Sequence, residues 1–515
     1  MMRSARPYVG ILTSLILAAG AHGESLDRAG ELWAPLEWIL HCPDVAGNPF
    51  DLEAGVTFRH AGGETRSTEM FHDGGTTWKF RFTATRTGEW TFVTKSEEPP
   101  LDAKEGTVAI SAGGDAGPRR GFIVATEGNR WGRQTGEGGE VAPFVPQLVM
   151  GRDLPAYADN SKIDGDIQRW IVDHGFSGVH VGVLCRWFDI ASATSQEIEA
   201  ADPNPDPRTF EILEELIARF HGEGGMVHIW MWGDESRGMT PVKWGINGRA
   251  DKRLHRYIAA RLGPLPGWTM SYGFDLWEWV DGAELAAWHQ SMHQHLGWPH
   301  LLGARWEKNE LTQATEVLDY SSYEQHRPDY STYVKTIERR PSKPSFSEDR
   351  YRVRDPSPYP DKDYDVEMTR RGLWHSAMAG GVANIWGYLV PSAEDGGSRP
   401  FPNREQIRTY ATFFDGRFVP GLQRQSELTD GVALVSKRGD GSLALIYKED
   451  TDSIRIEGLP STQQVRAVAV DTKKAYREIP VSESELVSGR WHAPYASDWA
   501  MAIDRGAGAE GTEDD

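Results

Sequence analysis

Residues 267–297, GWTMSYGFDLWEWVDGAELAAWHQSMHQHLG, contain one complete structural unit. The opening run is apolar and of strand length. The second half places Leu285, Trp288, Met292 and Leu296 on one helical face. Between them, Asp275 and Glu278 stand among aromatic residues at the point where the strand ends. Strand, polar turn and amphipathic helix together make a βα unit, and the fold depends on how often that unit recurs.

It recurs through residues 140–418. The strand-like runs are FVPQLVMGRD (144–153), SGVHVGVLCRWFD (177–189), GGMVHIWMWGDESR (224–237), GWTMSYGFD (267–275), HLLGARW (300–306), EVLDYSSYEQH (316–326), KPSFSED (343–349) and GGVANIWGYL (380–389). Helical stretches separate them, such as DPRTFEILEELIARFHGEG (206–224), with Phe210, Leu213, Ile217 and Phe220 on one face. Eight units over about 275 residues match the count and size of an α/β (β/α)8 TIM barrel, with a doubly wound sheet as the alternative.

Flanking segments read differently. Residues 24–120 alternate at period two with Gly-rich turns, as does 425–505, and each predicts an antiparallel β-sandwich. The tail 506–515 is Gly-rich and acidic, the composition of disorder. At the start, Arg3 and Arg6 precede an apolar run and the small-residue pattern Ala21-His22-Gly23, so residues 1–23 are expected to be a secretory signal peptide and the protein secreted or periplasmic. A net charge of −20 argues against nucleic acid and anionic membrane as partners. Two cysteines, Cys42 and Cys185, exclude a cysteine-built zinc site, and no cofactor motif is present. His289 and His293 have the i, i+4 spacing of a metal pair but no acidic third ligand on the same helix face, so they read as solvated.

Barrel chemistry sits at the C-terminal ends of the strands. Those ends supply Arg152 and Asp153; Arg186, Trp187 and Asp189; Trp230, Trp232, Asp234, Glu235 and Arg237; Asp275 and Glu278; Arg305 and Trp306; Tyr323, Gln325 and His326; Glu348, Asp349 and Arg350; and Trp386 and Tyr388. Carboxylates after the fourth and seventh strands face one another across a barrel mouth, and glycosidic cleavage needs two carboxyl groups flanking the bond. The pair is therefore Asp275 or Glu278 with Glu348, Asp349 being its near rival. The arginines either pair with neighbouring acids or bind a uronate or sulfate on the sugar. The 20 Trp residues are divided between core packing and stacking platforms for sugar rings.

FHDGGTTWKFRFTATRTGEWTF (71–92) resembles the β-sandwich found ahead of many TIM-barrel glycoside hydrolases. With carboxylates after strands four and seven, the chain resembles the large clan of retaining glycoside hydrolases, and its apiosidase-like branch in particular, whose C-terminal domain is a collagen-binding-like sandwich. The resemblance implies Glu348 as nucleophile and Asp275 as acid/base, about 5 to 5.5 Å apart. It implies that Tyr323 hydrogen-bonds the nucleophile, that Arg186 holds it ionised, and that Trp386 is a sugar platform. Where the clan has Asn-Glu, this chain has Phe274-Asp275, which removes the usual donor to the sugar 2-hydroxyl. Rival readings are a carbohydrate-binding protein on an inactive barrel and a polysaccharide lyase acting on uronates.

Overall fold

The computed structural model describes residues 25–43, 45–113, 120–126, 128, 130–305, 316–352, 365–387, 404–438, 441–457 and 465–505, with side chains undescribed at 349–352, 426, 437–438, 441–442 and 505. The expected signal peptide, the tail, Trp306 and Tyr388 lie outside the described residues.

All eight apolar runs form parallel strands of one sheet: Gln147–Met150 (β1), Gly178–Gly182 (β2), Met226–Trp232 (β3), Trp268–Gly273 (β4), Leu302–Gly303 (β5), Ser321–Tyr323 (β6), Ser345–Arg352 (β7) and Ala383–Gly387 (β8). Their order runs from β5 through β1 and β8 to β6, and among the described residues a single parallel bridge, Arg305 to Ser322, joins the two free edges. The fold is a TIM barrel, and its β5–β6 seam is its thinnest join. Helices follow the strands: Asn160–Asp166 (α1), which continues as a π-helical segment to His174, then Pro207–Gly222 (α2), Arg249–Leu262 (α3), Gly282–His295 (α4), Tyr330–Arg339 (α5), Val366–Met378 (α6) and Arg404–Phe414 (α7). The expected helical faces are buried: Phe210, Leu213, Ile217 and Phe220 on α2, and Leu285, Trp288 and Met292 on α4.

Strand alternation divides the barrel's side chains into two sets. Leu148, Met226, Trp230, Phe346 and Ile385 fill the interior. Val149, Val179, Ile229 and Met270 pack outward with the helices. The interior is closed at one end by a sheet that the sequence reading left unassigned: Arg120–Ala125, Trp131–Thr135 and Glu140–Pro143, antiparallel. Its Trp131 lies against Tyr320 and Phe346, and its indole N–H donates to the carbonyl of Ser345, the first residue of β7, at 2.8 Å. The plug therefore sits at the N-terminal ends of the strands, leaving the C-terminal ends as the open face.

Before the barrel, a five-stranded and a three-stranded sheet enclose Trp38, Phe58, Phe80, Trp90 and Phe92, with Trp38 stacked on Phe80 at 5.0 Å. This pair of sheets docks on the barrel through Arg81, which bonds Glu214 of α2 at 2.9 Å, with Arg261 of α3 on the same carboxylate. After the barrel, a six-stranded antiparallel sheet includes two long strands, Gly441–Arg455 and Arg490–Arg505, whose pairing shifts register around Thr451. Residues on both sides of that shift, Ile446 and Ile454, share one apolar cluster, so the sheet folds over on itself. Its opposite face joins the barrel, where Tyr447 stacks on Trp374 of α6 at 5.3 Å and Arg370 pairs with the buried Asp498 at 2.6 Å.

Candidate active site

Glu348 enters the barrel from β7 at a register shift between Ser347 and Arg350, a bulge of the kind that re-aims side chains beside functional sites. Its side chain is fully buried. Trp230 Nε1 donates to Oε1 and the Ser322 hydroxyl to Oε2, with Ser271 also beside it. Burial pushes its carboxyl up to about 7, and these donors and the Arg305 charge only partly oppose the rise. Beneath it, His228 Nε2 is 3.4 Å from Oε1 and 3.2 Å from the Tyr320 hydroxyl, and its Nδ1 shares a proton with His180 Nδ1 at 2.8 Å. Burial lowers His228 to about 3, so the imidazole is neutral and cannot hold Glu348 ionised.

Asp275 stands just past β4 in a left-handed conformation, φ 54° and ψ 34°, costing on the order of 1 kcal/mol for a residue with a Cβ. That turn breaks the strand's alternation and leaves Asp275 half-buried at the mouth. Arg305 ties it to Glu348: Nη2 donates to Asp275 Oδ1 at 2.9 Å, and Nη1 to the Glu348 carbonyl at 3.3 Å. The same Nη2 lies 3.8 Å from Oε2 of Glu324, whose Oε1 is 3.3 Å from His326 Nε2. The Arg305 guanidinium also lies over Trp230 and Phe274, at 5.4 and 5.6 Å. Phe274, in the place of the absent Asn, thus lies between Arg305 and Arg237, whose guanidinium is 5.5 Å from the ring. Arg237 in turn holds Asp234 at 2.7 Å. Partial burial and the charges of Asp234 and Asp275 raise the carboxyl of the exposed Glu278.

The structure therefore gathers Asp275, Glu348, Trp230, Asp234, Arg305 and His326 of the expected residues at the open face. Arg186 is also there, but 2.8 Å from Asp153 rather than on Glu348. Other expectations are corrected. Tyr323 points outward, its hydroxyl 3.5 Å from the Thr336 carbonyl of α5, and the neighbouring Ser322 contacts Glu348 instead; one residue of offset exchanges the two faces of a strand. Trp386 is fully buried between β8 and the helices, its N–H donating to Gln147, so it presents no platform. Trp187 donates to the Met231 carbonyl and Trp232 packs near Phe188, both fully buried. Arg152 makes a two-bond pair with Asp166 of α1, at 2.9 and 2.7 Å, away from the carboxylates. The Arg350 side chain lies outside the described residues. Glu324 and Ser322 escaped notice, although Tyr320, Ser322 and Glu324 share one period-two face in DYSSYEQ.

Two further sequence readings change. The described Trp residues are mostly core, Trp268, Trp288 and Trp374 among those fully buried, whereas Trp277, two residues past Asp275, is 54% exposed at the mouth. His289 and His293 are half-buried rather than free in solvent, and Asp319 meets both of them.

Residues 30–97 match a family model described as a domain of unknown function (DUF5060). No curated protein matches the chain. Among solved structures, the chain is similar to a Bacteroides vulgatus ATCC 8482 protein provisionally named a glycoside hydrolase, at 16% identity and a TM-score of 0.71, covering 93% of this chain and 100% of that one. It is also similar to a glycoside hydrolase family 5 protein from the same organism, at 14% identity and 0.53, covering 74% and 92%. A third structure, named simply glycoside hydrolase, matches at 13% identity and 0.52, covering 74% and 96%. At such identities the likeness is one of fold.

Proposed function

We propose that the chain is a glycoside hydrolase acting on an oligosaccharide or polysaccharide, by double displacement with Glu348 as nucleophile and Asp275 as acid/base. The observation that carries this reading is the single guanidinium of Arg305 joining the Asp275 carboxylate after β4 to Glu348 on β7. Glu348, oriented at both oxygens by Trp230 and Ser322, attacks the anomeric carbon as Asp275 protonates the departing oxygen. Asp275 then deprotonates the water that releases the sugar. Arg305 has a second acceptor in Glu324, so its charge is still matched when Asp275 is neutral. Incubation with plant and algal glycans, with product masses and the anomeric proton signal followed by NMR, tests the proposal. Products that first appear with retained configuration support it. Inverted products refute double displacement, and an unsaturated product absorbing in the ultraviolet identifies a lyase.

A second assignment of the proton donor has one observation in its favour. Glu278 is raised by burial and by two neighbouring negative charges, the direction a proton donor needs, whereas Asp275 is ion-paired with Arg305. The variants Asp275→Asn and Glu278→Gln separate the two. The one that loses natural substrates yet still cleaves aryl glycosides with good leaving groups marks the acid/base, and Asp275→Asn is expected to be that variant.

For substrate charge, the described arginines at the mouth are matched: Arg186 by Asp153, Arg237 by Asp234 and Arg305 by Asp275. We therefore place a neutral sugar at the cleavage point, with equal or slower cleavage of uronate and sulfate analogues as the check. Trp277, flat, exposed and beside Asp275, is the proposed sugar platform. Trp277→Ala should raise KM about tenfold, equivalent to roughly 1.4 kcal/mol of lost stacking, with Tm little changed because more than half of the residue is exposed.

A further inference from the structure

We propose that His289, His293 and Asp319 form a structural binding site for one divalent transition-metal ion of the zinc type. The His289 and His293 rings lie one helical turn apart on α4, with centroids 4.3 Å apart. Asp319, just ahead of β6, faces them: His293 Nε2 is 2.8 Å from Oδ2 and His289 Nε2 is 3.2 Å from Oδ1. One donor atom from each residue falls within a common span of 4.8 Å. Donors bound at about 2.0–2.2 Å to a tetrahedral ion stand about 3.3–3.5 Å apart, so closing the set takes only small rotations.

A hydrogen-bonded triad without metal holds His293 in line with Asp319 but His289 only within reach of it. His293 donates to Asp319. His289 Nε2, despite its proximity, is off the line of a hydrogen bond and is buried with no other partner. A buried ring nitrogen that faces a carboxylate without bonding it is placed as a ligand would be. Asp319 is also supported from behind, since the Leu302 N–H donates to Oδ2 at 2.8 Å, the kind of outer contact that orients a metal-binding carboxylate. Two imidazoles and one carboxylate are borderline donors that suit zinc, nickel or cobalt over calcium or magnesium, and water completes the shell.

Position indicates what the ion does. Asp319 precedes β6, so the site lies at the plugged end of the barrel, opposite the face that carries Glu324 and Arg305. Asp319 also pairs with β5 through its own N–H, which donates to the Leu302 carbonyl at 2.9 Å. An ion there ties α4 to the β5–β6 seam, the join that has one bridge at its other end. Lys343, which donates to the Glu316 and Leu318 carbonyls, brings a positive charge to this loop, and burial lowers its pKa.

The test uses the full chain without a histidine tag, stripped with chelator and dialysed against zinc, with metal content measured by mass spectrometry and Tm by calorimetry. One zinc per chain is expected, with a rise in Tm of at least about 2 °C at zinc well above Kd. The paired variant His289→Ala/His293→Ala should lose both. Since that pair could disturb α4, Asp319→Asn serves as a second variant: it keeps an acceptor for the Leu302 N–H and removes the charge and one ligand oxygen. Zinc content in the wild type no higher than in either variant overturns the site and leaves a hydrogen-bonded triad. Activity is not read, so a failure here is independent of the glycosidase proposal.

Discussion

Glu348→Gln is expected to lower turnover by about four orders of magnitude while leaving the barrel folded. The size of the loss follows from removing a covalent nucleophile, for which nothing else in the pocket substitutes. Folding survives because the amide fits the same contacts: its oxygen accepts from Trp230 Nε1, and its NH2 donates to Ser322 Oγ, which is free to rotate. Wild type and variant should differ in their pH dependence of stability. Glu348 has a folded value of about 7 against 4.5 for an ordinary glutamate, so between those values the folded state holds a proton that the unfolded chain has released. Stability from this group is complete below pH 4.5 and is lost as pH rises to 7, by at most about 3 kcal/mol. The neutral His228, lowered to about 3, acts in the opposite sense, losing stability as pH falls from 6.5 toward 3. The difference between wild type and Glu348→Gln isolates the first effect. In urea titrations at pH 4.5 and 7.5, the variant should gain on the wild type at the higher pH. An ionised nucleophile also requires kcat/KM to rise with pH through about 7, and a profile that falls there would make Glu348 the proton donor instead.

The barrel was legible because its information is local: each apolar run is followed by its own helix, and β4 with α4 fits within 31 residues. Which strand-end residues reach the mouth was legible only where alternation holds. At β6, taking Tyr323 in place of Ser322 moved the contact to the wrong face by one residue, and at β8 the conspicuous Trp386 points away from the mouth. The β7 bulge that delivers Glu348 and the left-handed turn at Asp275 are set by tertiary pairing, and FSED and GFD carry no local mark of either. Asp319 was out of view for another reason: it lies 26 residues beyond His293 and reaches it only because β5 and β6 bring it back under α4. The plug at 120–143 fell largely between the two expected domains and was left unassigned, although its Trp131 packs in the barrel interior and bonds the Ser345 carbonyl.

Replacing Arg305 should be the most damaging single change to stability at the mouth. Its side chain is 5% exposed, and it serves Asp275, Glu324 and the Glu348 carbonyl at once while its backbone forms the bridge that closes the barrel. Arg305→Met keeps the length and the contacts with Trp230 and Phe274 but leaves the buried Glu324 without its guanidinium neighbour. Breaking a buried pair from one side typically costs about 3–5 kcal/mol, because the stranded charge remains desolvated. If that is the cause, the loss is reversible without restoring the arginine: adding Glu324→Gln and Asp275→Asn to Arg305→Met should recover most of the urea midpoint, though no activity. If the triple variant stays as unstable as the single one, Arg305 acts through packing at the seam and not through charge. Arg305→Lys separates positioning from charge, since one ammonium cannot reach three acceptors that a planar fork spans. Its stability should lie near wild type, and its kcat about 100-fold below, with KM little changed, as expected when a reacting carboxylate is displaced by about 1 Å.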